Sequence, residues 1–549
     1  AETYLEQRKQ LEYPLLKDAP QAGRAASGEM KSTAVSNLKA AVTTPQPFLL
    51  EIGTEELPAG DLDAALGQLR ESVPSLLKEL SLEHGGIQVQ GTPRRIAVMV
   101  EDLSPRQPDR ESLVKGPPAD KAFDKEGIAS PAAVGFARKN GVNTKDLEVR
   151  EQDGGKYVFA AVSQKGQPAL DVLSAAMPGL VASIKFEKSM KWNGSGAAFS
   201  RPIRWLAALL GDQLVPFEYA GIAASNLTRG LRPYDSPSLA IPSAGGYRAL
   251  LEQAGVVLDP EARKASILEQ VEQAASLLGG KPIVDEGLLA EVTNLVEMPT
   301  AVMGAFSPEF LALPEDALIT VMKKHQRYFP VEQKGRLLPH FIAIRNGDDL
   351  GIDIVREGNE HVLGARFADA NFFFREDVKR PLEDYRPRLS TLIFQTKLGS
   401  MLDKSERMSK LVNELIPMLG LDEEEALHAR RAAYLAKADL ATQMVTEMTS
   451  LQGILGREYA LRCGEQAPVA AAIGEQYLPL PKSRVGLAVA LADRIDSLVG
   501  LFAAGLIPTG ARDPFGLRRA AIGVVQPLID HGMPFDLRMA VARASAIQP

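Results

Sequence analysis

The sequence predicts a multidomain α+β protein, with a mixed α/β N-terminal region followed by an all-α region. Three observations carry this. Up to about residue 390, short apolar runs of strand length mix irregularly with helical periodicities, without the regular alternation of a doubly wound sheet. After about Phe394 the strand-like runs thin out and long helical stretches dominate. The 549 residues are 45% apolar, enough for several cores.

The elements follow in chain order. Residues 1–14, AETYLEQRKQLEYP, read as the end of a helix, with Tyr4, Leu5 and Leu11 on one face and Pro14 as the stop. Residues 15–46 are rich in Ala, Ser, Thr, Gly and Pro and read as a flexible linker. A body over 47–390 begins with a buried strand, Phe48 to Ile52. Asp61 to Leu80 has helical spacing, and Pro74 is expected to kink or split it. Ile87 to Val100 holds two short strands around Gly91-Thr92-Pro93, and Tyr157 to Val162 is another. Ala169 to Ile184 and Glu261 to Leu278 read as helices. Over 391–549, helices are expected at Lys397–Leu419, Glu423–Gly453, Ser483–Ala504 and Pro514–Asp530.

Charge and cysteine usage narrow the function classes. A net charge of −7, from 62 basic and 69 acidic residues, argues against blanket adhesion to nucleic acid but leaves room for a local basic track. Cys463 is the only cysteine, which rules out an internal disulfide and a cysteine-rich zinc site. No apolar run reaches the roughly 18 residues of a membrane span. Walker-type, G-x-G-x-x-G and G-x-S-x-G motifs are all missing, and the six histidines show no metal-binding spacing.

Several short stretches are candidates for chemistry. In Gly53-Thr54-Glu55-Glu56-Leu57-Pro58, paired glutamates follow a strand. No partner group for acid/base work is visible nearby, so they read as a helix entrance with Thr54 as its cap. Thr92-Pro93-Arg94-Arg95 places two guanidinium forks, suited to phosphate, at a turn before a strand. Phe199-Ser200-Arg201-Pro202-Ile203-Arg204-Trp205 repeats the theme beside an aromatic. The plain alternatives are a solvated strand end for the first and a helix start with surface arginines for the second. The densest cluster is Met322-Lys323-Lys324-His325-Gln326-Arg327-Tyr328, where basic and aromatic residues interleave as single-stranded RNA contacts require. Arg94, Arg95, Arg201, Arg204, Lys323, Lys324 and Arg327 are thus candidates for phosphate contacts. His325 and Tyr328 are candidates for stacking or hydrogen bonding.

The helical region resembles the HD family of metal phosphohydrolases, whose ligands are an early His, a His-Asp dyad and a distant Asp. Here the dyad position reads Ala438-Asp439, and Asp493 follows. Losing the imidazole leaves carboxylates only, so an empty metal site is expected.

FLLEIGTEELP (48–58), TPRRIA (92–97), KGPPADKAFD (115–124), FSRPIRW (199–205), NLVEMP (294–299), MKKHQRYFPV (322–331), GNEHVLGARFADANFFFRED (358–377), ADRIDSLVGLF (492–502) and RDPFGLRRAAIGV (512–524) occur in this order. On these stretches the chain resembles the β subunit of bacterial-type glycyl-tRNA synthetase. It departs from the family pattern at Thr228-Arg229-Gly230-Leu231-Arg232-Pro233, where a His and a Phe are common. Residues 1–14 resemble the tail of the synthetase α subunit, which implies a fused αβ arrangement of the plastid kind. The family's anticodon-binding domain is then expected beyond Pro549. The resemblance further implies a glycine–tRNA ligase whose class II site, with ATP and Mg²⁺, lies on the α subunit. This chain would bind no cofactor or metal and would carry no catalytic residue. Its partners would be tRNA(Gly) and the α subunit or α region, in an α2β2-like assembly, with no membrane. The location would be chloroplast or mitochondrion for a fused form, or the bacterial cytoplasm. Two rival readings stand beside this one: an HD-type metal phosphohydrolase, and an assembly scaffold that touches no RNA.

Overall fold

The continuous apolar run Phe48–Ile52 becomes the centre of the largest sheet. In the computed structural model, which describes residues 42–123, 128–152, 155–510 and 512–549, the strand Gln46–Thr54 is flanked on both sides. It pairs antiparallel with Arg95–Leu103 and with Ile203–Leu210, so Leu50 lies opposite Val98 on one side and Ala208 on the other. The order across the sheet is Glu218–Tyr219, Ile222–Ser225, Ile203–Leu210, Gln46–Thr54, Arg95–Leu103, Ile87–Thr92, with Gln213–Leu214 attached to Ile203–Leu210. A strand with neighbours on both edges and packing on both faces takes apolar residues throughout. Glu51 is the one charged residue in it, and it is fully buried. Gly53 belongs here for a steric reason: a Cβ at this position would overlap the Trp205 ring. The expectations for residues 1–14, and for 15–46 up to residue 41, lie outside the described residues.

The helix Ala59–Glu79 buries Leu62, Ala65, Leu66, Leu69, Val73 and Leu77. It runs unbroken through Pro74, so the expected split does not occur. It also starts after Pro58, with no side-chain cap, so Thr54 is not its cap and Glu55 and Glu56 precede it. FSRPIRW leads into the strand Ile203–Leu210 rather than a helix.

A second sheet has the order Lys281–Pro282, Phe329–Gln333, Arg336–Asn346, Pro299–Ala305. Its central hairpin turns through Lys334 and Gly335, both at positive φ (53° and 75°), the backbone twist that a two-residue hairpin loop favours. The helices Pro260–Leu277 and Glu286–Thr293 supply Ile267, Val271, Leu288 and Val292 to the core it shares. A three-stranded sheet, Arg110–Pro118, Gly155–Gln164 and Leu147–Gln152, carries its own small core around Ala122, Ala133 and Val158.

From Met401 onward the chain is helical. Arg484–Ala503 is the buried axis, with every residue from Val485 to Ala492 buried. The expected helix over Glu423–Gly453 is instead Glu423–Leu435 followed by short turns. The reason is polar. The Asp377 carboxylate accepts from the amides of Gln443 and Met444 (both 2.9 Å), and Asp439 accepts from the Gly453 amide at 2.6 Å. These bonds satisfy backbone groups that a continuous helix would have used internally. One buried cluster runs from Val302 and Phe310 through Phe367 and Phe374 to Met408, Leu455, Leu491 and Ala544. The helical region therefore shares a core with the second sheet's surroundings, and Gln46–Pro549 is one compact unit. Among the described residues no helix is long and apolar enough to cross a membrane.

Candidate nucleic-acid interface

The basic turn at Thr92–Arg95 points inward. Arg95 is 0% exposed and Arg94 6%. Arg95 reaches Glu297 Oε1 at 3.1 Å and Glu51 Oε1 at 3.4 Å, and donates to Thr228 Oγ1 (3.1 Å) and the Arg229 carbonyl (2.7 Å). Thr92 donates to Glu297 at 2.7 Å and Thr228 to Glu51 at 2.8 Å. Arg94 donates to the Gly230 carbonyl (3.2 Å) and Ser236 Oγ (2.7 Å). Burial opposes the charge on Arg95, but the carboxylates of Glu297 and Glu51 outweigh it and raise its pKa. The solvent-facing placement expected for Arg94 and Arg95 is thereby corrected. They clamp two strands, the 228–236 loop and the approach to the second sheet.

Above this clamp lies an exposed layer. The backbone of Thr54–Leu57 bonds to both neighbouring turns: Thr54 N to the Arg94 carbonyl, Glu55 N to that of Pro202, and Leu57 N to that of Pro93. The glutamate side chains reach outward. Glu55 meets Arg204 (3.2 Å) and Arg232 (3.3 Å), and Glu56 meets Arg232 (2.9 Å). Arg201 is exposed and, among the described residues, bonds only to the adjacent Ser200 carbonyl. The paired glutamates are therefore an ion-paired rim.

The cluster at 322–328 is displayed differently. The helix Glu315–Thr320 continues into a wider π turn, Val321–Gln326, which ends at Arg327 in the left-handed region (φ 57°). Such turns re-aim side chains and recur at functional sites. Lys324 is exposed and has no ion pair or hydrogen bond among the described residues. His325 Nε2 lies 3.3 Å from Ser450 Oγ. Partial burial, with the nearby Arg366, Arg327 and Lys324 charges, lowers its pKa. Lys323 pairs with Asp285, and Arg327 with Glu291 at 3.0 Å. Tyr328 is only 8% exposed and stacks on Phe341 with centroids 4.6 Å apart, so its expected role as a surface base platform is corrected. Lys324 opens on a cleft of about 620 Å³ that also carries Ser450, Gln452, Arg457 and Lys482 from the helical region. Arg457 pairs with Asp316 at 2.6 Å.

In the helical region, Ala438 and Asp439 are buried. Asp493 Oδ1 is 3.0 Å from the Lys404 ammonium, and its Oδ2 is 2.9 Å from that of Lys437. Asp496 is held by Arg407 (2.7 Å) and Lys404 (3.1 Å). Burial pushes Asp439 up to about 6, whereas Lys404 and Lys437 hold Asp493 well below the usual range against its burial. Two ammonium groups on one carboxylate fill the positions a divalent ion would need, so the residues present do not fit a metal. Among the described residues no three His, Cys, Asp or Glu side chains gather as a metal-binding group.

A family model described as glycyl-tRNA synthetase beta subunit matches residues 48–549. The chain belongs to that family. It is 43% identical over 503 residues to the glycine–tRNA ligase beta subunit of Clostridioides difficile, covering 90% of this chain and 73% of that one. It is 46% identical over 511 residues to the beta subunit of Acaryochloris marina, covering 91% and 72%. It is also 44% identical over 512 residues to chloroplastic/mitochondrial glycine–tRNA ligase 2 of Arabidopsis thaliana. That match covers 92% of this chain but only 48% of the plant protein, so the chain spans about half of it.

In this beta-subunit chain the sequence singles out Lys324 and His325 but not the residues the fold brings beside them. Arg457 and Lys482 sit in no basic run; the packing of the helical region against the 315–326 segment brings them to Lys324, while Arg366 comes from the helix Ile352–Asp377. Arg229 and Arg232 lie in the stretch where the sequence departs from the family pattern.

Proposed function

We propose that this chain is the tRNA-positioning part of a glycine–tRNA ligase. It grips tRNA(Gly) for glycylation at a class II site on an α subunit or α region, which supplies the ATP and Mg²⁺ chemistry, in an α2β2-like assembly. The location is then the bacterial cytoplasm or an organelle. The observation that carries the reading is the cleft on which Lys324, Arg457 and Lys482 open beside Asp316 and Glu475, with His325 and Arg366 nearby. The ammonium groups of Lys324 and Lys482, without a partner among the described residues, stand on two packed segments and suit a phosphate backbone, which is read by charge and shape. Arg201 and Arg204 offer further exposed cations on the first sheet's rim. Residues 391–549 would be an HD-like domain in which Ala438, Asp439 and Asp493 occupy former metal positions, and 47–390 would be the body that carries it. Holding a reactant in attack geometry can be worth roughly 7–11 kcal/mol, so a subunit without catalytic groups can still control the rate.

The test is ATP–pyrophosphate exchange and tRNA charging, with this chain alone and with added α subunit, alongside gel shifts over a salt series. Charging only with the α subunit, and a log affinity for tRNA that falls linearly with log salt, are expected. Glycine activation by this chain alone, or salt-independent binding, would overturn the reading.

A further inference from the structure

The exposed layer above the buried arginine clamp borders a second cleft, of about 610 Å³. Both tryptophans of the chain, Trp192 and Trp205, line it. So do four arginines, Arg94, Arg204, Arg229 and Arg232, against a single carboxylate, Glu55. The fold holds this set in place. Trp192 directly follows the strand Met190–Lys191, which pairs with Ala198–Phe199, and the next residue, Asn193, donates to the Ala220 carbonyl at 2.7 Å. Arg94 is fixed by Gly230 and Ser236. The Arg229 side chain is exposed and has no partner among the described residues. Among the described residues Arg204 and Arg232 are tied only by exposed ion pairs to Glu55 and Glu56, which a stronger anion displaces at little cost. Thr54 also lines the cleft; it is 1% exposed, and its Oγ1 has no hydrogen-bond partner among the described residues.

We infer that this cleft binds one unpaired nucleotide of an RNA strand, with its base against Trp192 and its phosphate on Arg204, Arg229 and Arg232. The inference rests on the reading that the chain handles RNA. The excess of guanidinium selects an anion, and the half-buried indole adds affinity for a flat ring. A duplex cannot present a base to so small a cleft, whereas a single strand can. The Lys324 cleft, by contrast, has no tryptophan and grips backbone alone.

Because the only two tryptophans line this cleft, intrinsic tryptophan fluorescence reports on it directly. The probes are a single-stranded RNA hexamer, the same hexamer in duplex form, and inorganic tripolyphosphate. The hexamer is expected to quench saturably, with the duplex and tripolyphosphate binding at least about fivefold more weakly, the lower bound for losing one base stack. Arg229→Glu should weaken the hexamer by at least about fivefold with an unchanged melting midpoint, and Trp192→Ala should do the same by gel shift. No quenching, equal affinity for tripolyphosphate, or equal affinity of both variants and the parent would overturn the inference. If tRNA shifts persist while the hexamer fails, only this cleft assignment falls; if both fail, the RNA reading falls with it.

Discussion

Thr92-Pro93-Arg94-Arg95 and Met322-Lys323-Lys324-His325-Gln326-Arg327 are both basic stretches that lead into a strand, yet the fold sends them to opposite places. The first turn lies beside Glu51 on the central strand and Glu297 at the approach to the second sheet, and the carboxylates draw both arginines inward. The second meets carboxylates only at the surface, and Lys324 meets none among the described residues. A local cluster of positive charge thus fixes neither burial nor function. What decides is whether carboxylates from distant strands are waiting at the same spot. Buried arginine needs such partners, because an unpaired charge in the interior costs several kcal/mol.

The largest test of that contrast is Arg95→Leu. It leaves Glu51 and Glu297 buried without their main counter-charge, and a loss of about 3–5 kcal/mol is expected by denaturant titration. A protein that keeps its midpoint would show that the clamp does not hold these strands. The helical region offers the same contrast between two aspartates. Burial pushes Asp439, whose Oδ1 has no partner among the described residues, up to about 6, above its ordinary 3.8. It therefore binds a proton more tightly folded than unfolded, and stability falls as pH rises from about 4 to about 6. Asp439→Asn should remove that decline, on the order of 2–3 kcal/mol, read as melting midpoints across the window. Asp493 works in the opposite sense: held low by its two lysines, it stabilises above the ordinary aspartate range, and that share is lost in acid.

The exposed turn is tested by binding rather than melting. Lys324→Glu with Lys482→Glu should weaken tRNA by about tenfold or more and lower the salt slope by about two. The melting midpoint should stay, since neither side chain has a partner among the described residues. A drop in stability with unchanged tRNA affinity would make this turn structural, like the first.

Much of the fold was legible. FLLEI gave the central strand, the Leu62–Leu77 spacing gave the first helix, and the change of texture after Phe394 gave the helical region. The site was less so, for one reason: its partners are remote in sequence. Arg95 is 44 residues from Glu51 and 202 from Glu297. Tyr328 looked like a surface aromatic because Phe341, which covers it, lies across a hairpin. The break after Leu435 depends on Asp377, 66 residues upstream of the amide it caps at Gln443. Periodicity reports which face of an element is apolar, not which carboxylate will arrive from another element.

Glu55→Gln with Glu56→Gln is the gentlest probe and bears on why the rim differs from the clamp beneath it. Both carboxylates are at least a third exposed, as are their partners Arg204 and Arg232. Exposed pairs contribute little, so a stability change below about 1 kcal/mol is expected, with no effect on glycyl-adenylate formation by the complete αβ enzyme. The backbone bonds that tie Thr54, Glu55 and Leu57 to the neighbouring turns do not involve these carboxylates and survive the change. Removing the anions frees Arg204 and Arg232, so affinity for the RNA hexamer should rise if these arginines receive phosphate. A large loss of adenylate formation in a protein that melts normally would instead return the paired glutamates to the catalytic role that their position after a strand first suggests.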